Sequence, residues 1–179
     1  MSQERDKNMK RSILTLILIA LTLTSCETES PYSGYAVYFT CDAAFAPYNQ
    51  MNNLGEFITI RRRQGSTPSY ELTDALGNKH IHQLTEAEAR QQFYYGLGGL
   101  IIGRPITDSN GSIYAFDLAC PNCDTQRHRL NIDHLWRATC PNCATVFDLN
   151  LGGIPIEGKS RVLWRYRVFT SGSIVTVHN

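Results

Sequence analysis

Apolar positions along this chain follow two rhythms. Close to the start, residues 13–25 run without a charge behind Lys10-Arg11. From residue 35 onward the apolar runs are short and are broken by glycine, proline, asparagine and serine. Residues 35–40, 56–60, 69–73, 100–102, 113–119, 146–148, 162–169 and 174–178 are rich in β-branched and aromatic side chains, several of them alternating with polar ones, and each predicts a strand. Turn formers separate them at Ser109-Asn110-Gly111-Ser112, Asn150-Leu151-Gly152-Gly153 and Ser171-Gly172-Ser173. Thr85-Glu86-Ala87-Glu88 has the form of a capping box and predicts a single short helix up to about Phe93. The expected fold class is therefore mainly β with one short helix.

The first rhythm has a different meaning. Thirteen uncharged residues fall well short of the roughly 20 that a spanning helix needs, so a cleaved export signal is a better reading than a permanent anchor. Met9-Lys10-Arg11-Ser12 would make an ordinary signal start, leaving residues 1–8 as an upstream extension. The run ends in Leu23-Thr24-Ser25-Cys26, which resembles the lipobox of bacterial lipoproteins. The resemblance implies cleavage before Cys26, diacylglycerol on its sulfur, and placement in the cell envelope, on the outer membrane or the periplasmic face of the inner one. Several acyl chains would hold firmly, since each buried CH₂ contributes about 0.8 kcal/mol. The alternative is a signal cut elsewhere, with Cys26 an ordinary thiol. The expected organisation is a signal peptide over 1–25, a tether over 26–34 and one β-rich domain over 35–179.

Charge narrows the partners. Seventeen Lys and Arg stand against sixteen Asp and Glu. Removing residues 1–25 takes away Arg5, Lys7, Lys10 and Arg11 together with Glu4 and Asp6, leaving thirteen positives and fourteen negatives. Nothing in that balance recruits nucleic acid or anionic lipid. Arg61-Arg62-Arg63 could suggest a phosphate or headgroup patch, although so short a run reads first as a solvated strand end. Gly96-Leu97-Gly98-Gly99 precedes a strand rather than a helix, so it signals a tight turn or close backbone approach, not a nucleotide cradle. No Ser/His/Asp set or paired carboxylates point to an enzyme.

The strongest chemical signal is a doubled tetrapeptide. Cys120-Pro121-Asn122-Cys123 recurs as Cys140-Pro141-Asn142-Cys143, with sixteen residues between. Two thiolates three positions apart on a proline-stiffened turn can address one ion, and two such turns complete a tetrahedron. Three readings stand: one Zn²⁺ (or Fe) in a closed site, a [2Fe–2S] cluster, or disulfides in an oxidising compartment. Cys41 reads as a buried small hydrophobe, and His128 and His134 as loop residues, because four thiolates already fill a tetrahedral shell.

Reading outward from the cysteines, Gly98 to Ile102, Ile113-Tyr114-Ala115-Phe116-Asp117, Cys120-Pro121, Cys140-Pro141, Phe147-Asp148, Gly152-Gly153, Gly158 and Leu163 to Val168 resemble the Rieske iron–sulfur domain. The similarity covers about residues 98–169. It implies a β-sandwich whose two loops form a metal-binding tip. Cys120 and Cys140 fall where the family has its cysteines, whereas Asn122 and Cys143 stand at its histidine positions and Cys123 is displaced by one. A histidine-ligated cluster is thus not expected, and thiolates in its place would lower any cluster's potential. Lys10-Arg11 is not a twin-arginine pair, so export unfolded with metal acquired outside favours zinc. The resulting expectation is a membrane-anchored binding or assembly module with a structural four-Cys zinc-type centre, meeting an envelope partner; the alternative is a [2Fe–2S] electron carrier. Residues 41–95 receive no role.

Overall fold

The computed structural model describes residues 30–179; the readings for 1–25, Cys26 and residues 27–29 lie outside them. The described strands are β1 (Val37–Asp42), β2 (Phe57–Arg62), β3 (Ser69–Thr73), β4 (Lys79–Gln83), β5 (Tyr94–Tyr95), β6 (Leu100–Gly103), β7 (Tyr114–Asp117), β8 (Asn131–Ile132), β9 (Arg137–Thr139), β10 (Val146–Asp148), β11 (Ile154–Glu157), β12 (Arg165–Ser171) and β13 (Ile174–His178). A 3₁₀ turn over Tyr48–Asn52 and a helix α1 (Glu86–Arg90) accompany them. Nine strands form one antiparallel sheet in the order β4-β3-β2-β6-β7-β12-β13-β1-β5. The remaining four form a small antiparallel sheet, β11-β10-β9-β8. The mainly β expectation holds.

Consecutive apolar residues explain the layering. A strand turns successive side chains to opposite faces, so Leu100-Ile101-Ile102 needs cover on both. All three are fully buried. Ile58, Ile60, Leu100, Ile102 and Ala115 face a first core, into which the large sheet curls its far end. The curl brings Phe39 of β1 edge-on to Tyr70 of β3 at 5.6 Å, and Tyr95 of β5 to the same ring at 5.9 Å. Phe57, Ile101 and Phe116, the alternate residues of the same central strands, face a second core shared with Ala138 and Phe147 of the small sheet and with Leu149 just after it. Cys120 and Cys140 belong to that second core.

Several boundaries differ from expectation, each for a tertiary reason. The compact unit begins at Pro31, inside the expected tether, because Arg165 N–H donates to Pro31 O and accepts Ser33 N–H on its own carbonyl. The helix keeps its capping box at Thr85 and Glu88 but stops at Arg90, where Gln92 turns left-handed at φ 52° and sends Phe93 into the first core. The strand expected from 162 starts at Arg165, since Leu163 is spent filling the second core with its N–H on Gly153 O. β4, Lys-His-Ile-His-Gln, escaped the pattern because it is a largely exposed edge strand with no apolar face. Among the described residues no helix is long and apolar enough to cross a membrane.

Candidate metal centre

Two like turns present the sulfurs. Strand β7 runs through Leu118-Ala119 into Cys120, whose N–H is held by His128 O at 3.0 Å. The chain then doubles back: Cys123 N–H and Asp124 N–H both donate to Cys120 O, at 3.2 and 3.0 Å. The second turn follows β9 and repeats the design. Ala144 N–H donates to Cys140 O at 3.0 Å, and Cys140 N–H to Thr145 O at 2.9 Å. The residue after each second cysteine is left-handed, Asp124 at φ 47° and Ala144 at φ 56°, which lets the turn close in so few residues. Proline fixes φ just after the first cysteine of each turn.

The turns face each other in approximate two-fold fashion. Cys120 Sγ lies 3.6 Å from Cys143 Sγ, and Cys123 Sγ lies 3.7 Å from Cys140 Sγ, so the first cysteine of each turn meets the second of the other. All four sulfurs lie within 4.8 Å of one another. Cys120 and Cys140 are buried at the base, and Cys123 and Cys143 are half-exposed at the tip. The asparagines cross over too. Asn142 Nδ2 donates to Cys123 Sγ at 3.4 Å, and the Asn122 side chain donates to the Cys143 sulfur. The repeated Asn of the tetrapeptide thus tethers each turn to the sulfur of its counterpart. That repetition was visible in the sequence, and the role was missed.

Electrostatics at the sulfurs is uneven. Burial pushes the Cys120 and Cys123 thiols upward. At Cys143 burial also acts upward, but hydrogen bonds from Thr145, whose Oγ1 is 3.3 Å away, and from Asn122 outweigh it and bring the thiol to about 6. Cys41 lies apart in the first core, pushed up to about 12 chiefly by burial, as befits an inert core thiol. Neither His128 nor His134 belongs to the four-sulfur group.

A buried carboxylate steadies the approach to the first turn. Asp117 is fully buried and accepts Leu97 N–H at 2.7 Å, Gly98 N–H at 2.9 Å, Ala119 N–H at 2.7 Å and the Tyr166 hydroxyl at 2.5 Å. Burial pushes its carboxyl up, and these four donors oppose that. The glycine run is what allows the contact. A Cβ on Gly96 would stand 2.2 Å from the Tyr166 hydroxyl and one on Gly98 2.5 Å from Ala119 N. Close backbone approach, not nucleotide binding, accounts for these glycines. No sequence signal singled out Asp117 or Tyr166, because their pairing spans 49 residues.

The donor set suits a metal held entirely by thiolates. A tetrahedron with Zn–S of about 2.3 Å has S···S edges of about 3.8 Å, and the two cross-turn separations lie close to that. Four protein ligands leave no open position for a substrate or water. No family model, no curated protein and no solved structure matches this chain.

Proposed function

We propose that this protein is a lipid-anchored envelope module in which Cys120, Cys123, Cys140 and Cys143 hold one Zn²⁺ that staples the small sheet onto the large one, presenting a rigid surface to an envelope partner. The observation that carries the reading is the compactness of the four sulfurs, all within 4.8 Å. One ion satisfies that spread. Two irons bridged by sulfides would hold their thiolate pairs further apart. A disulfide would need sulfurs about 2.05 Å apart, well short of either cross-turn distance. The anchor rests on the lipobox-like Leu23-Thr24-Ser25-Cys26.

The zinc would act as a structural cross-link. Because the site is absent from an unfolded chain, its binding energy becomes folding energy. The protein's own part is to aim the sulfurs through the paired turns, to steady Cys123 and Cys143 with amide donors, and to hold Cys120 and Cys140 in a dry core.

The second reading is an iron-based electron carrier of Rieske-like descent. It draws on the half-exposed Cys123 and Cys143, which bring the centre to the surface where an electron could leave. Metal analysis and a visible spectrum of the full-length chain in detergent separate the two. A colourless protein with about one zinc per chain supports the staple. A brown protein with paired iron and sulfide supports the carrier. A metal-free protein with no free thiol but Cys41 leaves disulfides. For the anchor, Cys26→Ser is expected to release the protein from membranes, and unchanged membrane partition defeats that part of the reading.

A further inference from the structure

The large sheet curls without closing. Its last strand, β5, pairs only with β1, and the end of β2 comes up beside it without pairing. A groove of about 990 Å³ occupies this seam. Its wall carries the arginine run at the end of β2 and, from the loop after the first cysteine turn, Arg129. The one carboxylate lining it, Glu71, is already taken by Arg61 Nη2 at 2.5 Å and Lys79 Nζ at 3.5 Å. Arg62 and Arg63 are exposed and form no ion pair among the described residues. Arg129 is steadied by its Nε–H on Gly98 O at 2.7 Å, which leaves the two terminal nitrogens of its fork for a ligand.

A second, independent feature lies in the same wall. Tyr95 is 7% exposed, and its hydroxyl is buried with no hydrogen-bond partner. Buried polar groups are rarely left so, and an unpaired donor beside a cationic groove marks a place for an acceptor. Burial pushes this hydroxyl's pKa up, the Arg62 charge pulls it down, and the Glu88 carboxylate and Tyr48 push it up again.

We propose that the seam between β2 and β5 is a phosphoryl-binding site, in which Arg62, Arg63 and Arg129 hold the anionic oxygens and the Tyr95 hydroxyl donates to one of them. Planar guanidinium forks match phosphoryl oxygens two at a time, and three such charges suit a doubly charged group better than a lone carboxylate. The phosphoryl group can come from a soluble phosphate or from a lipid headgroup. Independently of the metal reading, this gives the 61–63 run a task beyond solvation.

The test is a calorimetric titration of inorganic phosphate into the full-length chain in detergent, alongside cosedimentation with phosphatidylcholine vesicles with and without phosphatidylglycerol. Saturable phosphate binding is expected, weakened about tenfold or more in R62Q/R63Q and measurably in Y95F. Both variants alter groups outside the sulfur site and are expected to keep wild-type metal content and melting. If free phosphate does not bind but the excess binding to phosphatidylglycerol vesicles is lost in R62Q/R63Q, the phosphoryl group is a headgroup's. Phosphate and vesicle binding that are both indifferent to Arg62 and Arg63, or unchanged in Y95F, overturn the site.

Discussion

The two cores of this molecule are built on opposite principles. The first is enclosed by a nine-stranded sheet whose strands reach seven residues and whose interior is aliphatic and aromatic, Phe39, Tyr70 and Leu100 among them. The second lies under strands of two to four residues, and part of its wall is sulfur from Cys120 and Cys140. Strands that short carry too few ladder bonds and too little apolar area to hold a layer in place by themselves. The first region can stand on burial, whereas the proposed metal would give the second a cross-link. That difference is the physical case for a metal here, and it is open to attack.

The largest effect is expected from breaking the cross-link. Cys140→Ser, or chelation of the wild type, is expected to strip the small sheet of on the order of 10 kcal/mol of metal-linked stability. Hydrogen exchange would then speed up in β8 to β11 while β1 and β13 stay protected. Equal loss in both sheets would erase the contrast. Next come core truncations. Phe39→Ala and Phe147→Ala, both fully buried, should each cost about 3–5 kcal/mol in chemical denaturation. Only Phe147→Ala, in the core that contains Cys120 and Cys140, should also make the metal easier to remove in a competition assay.

Asp117→Ala should cost about 3 kcal/mol, because it orphans three backbone N–H groups and the Tyr166 hydroxyl in a buried place. Its mark would be faster exchange at Leu97 and Gly98, next to the first cysteine turn.

A smaller, pH-dependent effect is largest at Asp74 of the large sheet, although at Asp133, in the β8–β9 turn of the small sheet, burial acts upward and hydrogen bonds from Arg137 also hold the carboxyl below the ordinary carboxylate range. Asp74 closes the β3–β4 turn by accepting from Leu76 N–H at 3.0 Å, Asn78 N–H at 2.8 Å and His80 Nε2 at 3.1 Å. Burial acts upward, but the donors led by His80 and Asn78 hold its carboxyl at about 2, below the ordinary 3.8. A depressed carboxyl stabilises the fold above its unfolded value and loses that contribution as pH falls. Wild type should therefore lose stability between about pH 4 and pH 2, and Asp74→Asn should flatten that part of a urea-midpoint profile. The smallest change is a gain. Ala144 sits at φ 56°, where a Cβ is strained, so Ala144→Gly should raise stability by up to about 1 kcal/mol in a thermal melt, with metal content unchanged.

Legibility followed the range of the interactions involved. The capping box at Thr85 and Glu88 was readable because its partners are three residues apart. The longer strands with an apolar face were readable from alternation, whereas β4 was not, because its fitness depends on being an edge, and β5, β8, β9 and β11 were not, because two to four residues are too few to show a period. Within the site, Cys120, Cys123, Cys140 and Cys143 announced themselves by spacing, and their convergence is the geometry that spacing predicts. The crossed bonds from Asn122 and Asn142 required knowing that the two turns face each other.

What the chain alone determined is local chemistry: which stretches prefer to extend, which turns can bend so tightly, and which four side chains can bind a soft cation. These rest on neighbours within a few residues, where chain connectivity fixes distance. What only the tertiary structure decided is company at long range. It set Asp117 against the Gly96–Gly99 backbone and Tyr166, split one apolar run between two cores, and left a cationic seam where the sheet curls without closing. Those outcomes depend on how many strands must be covered, a property of the whole packed sheet rather than of any segment in it.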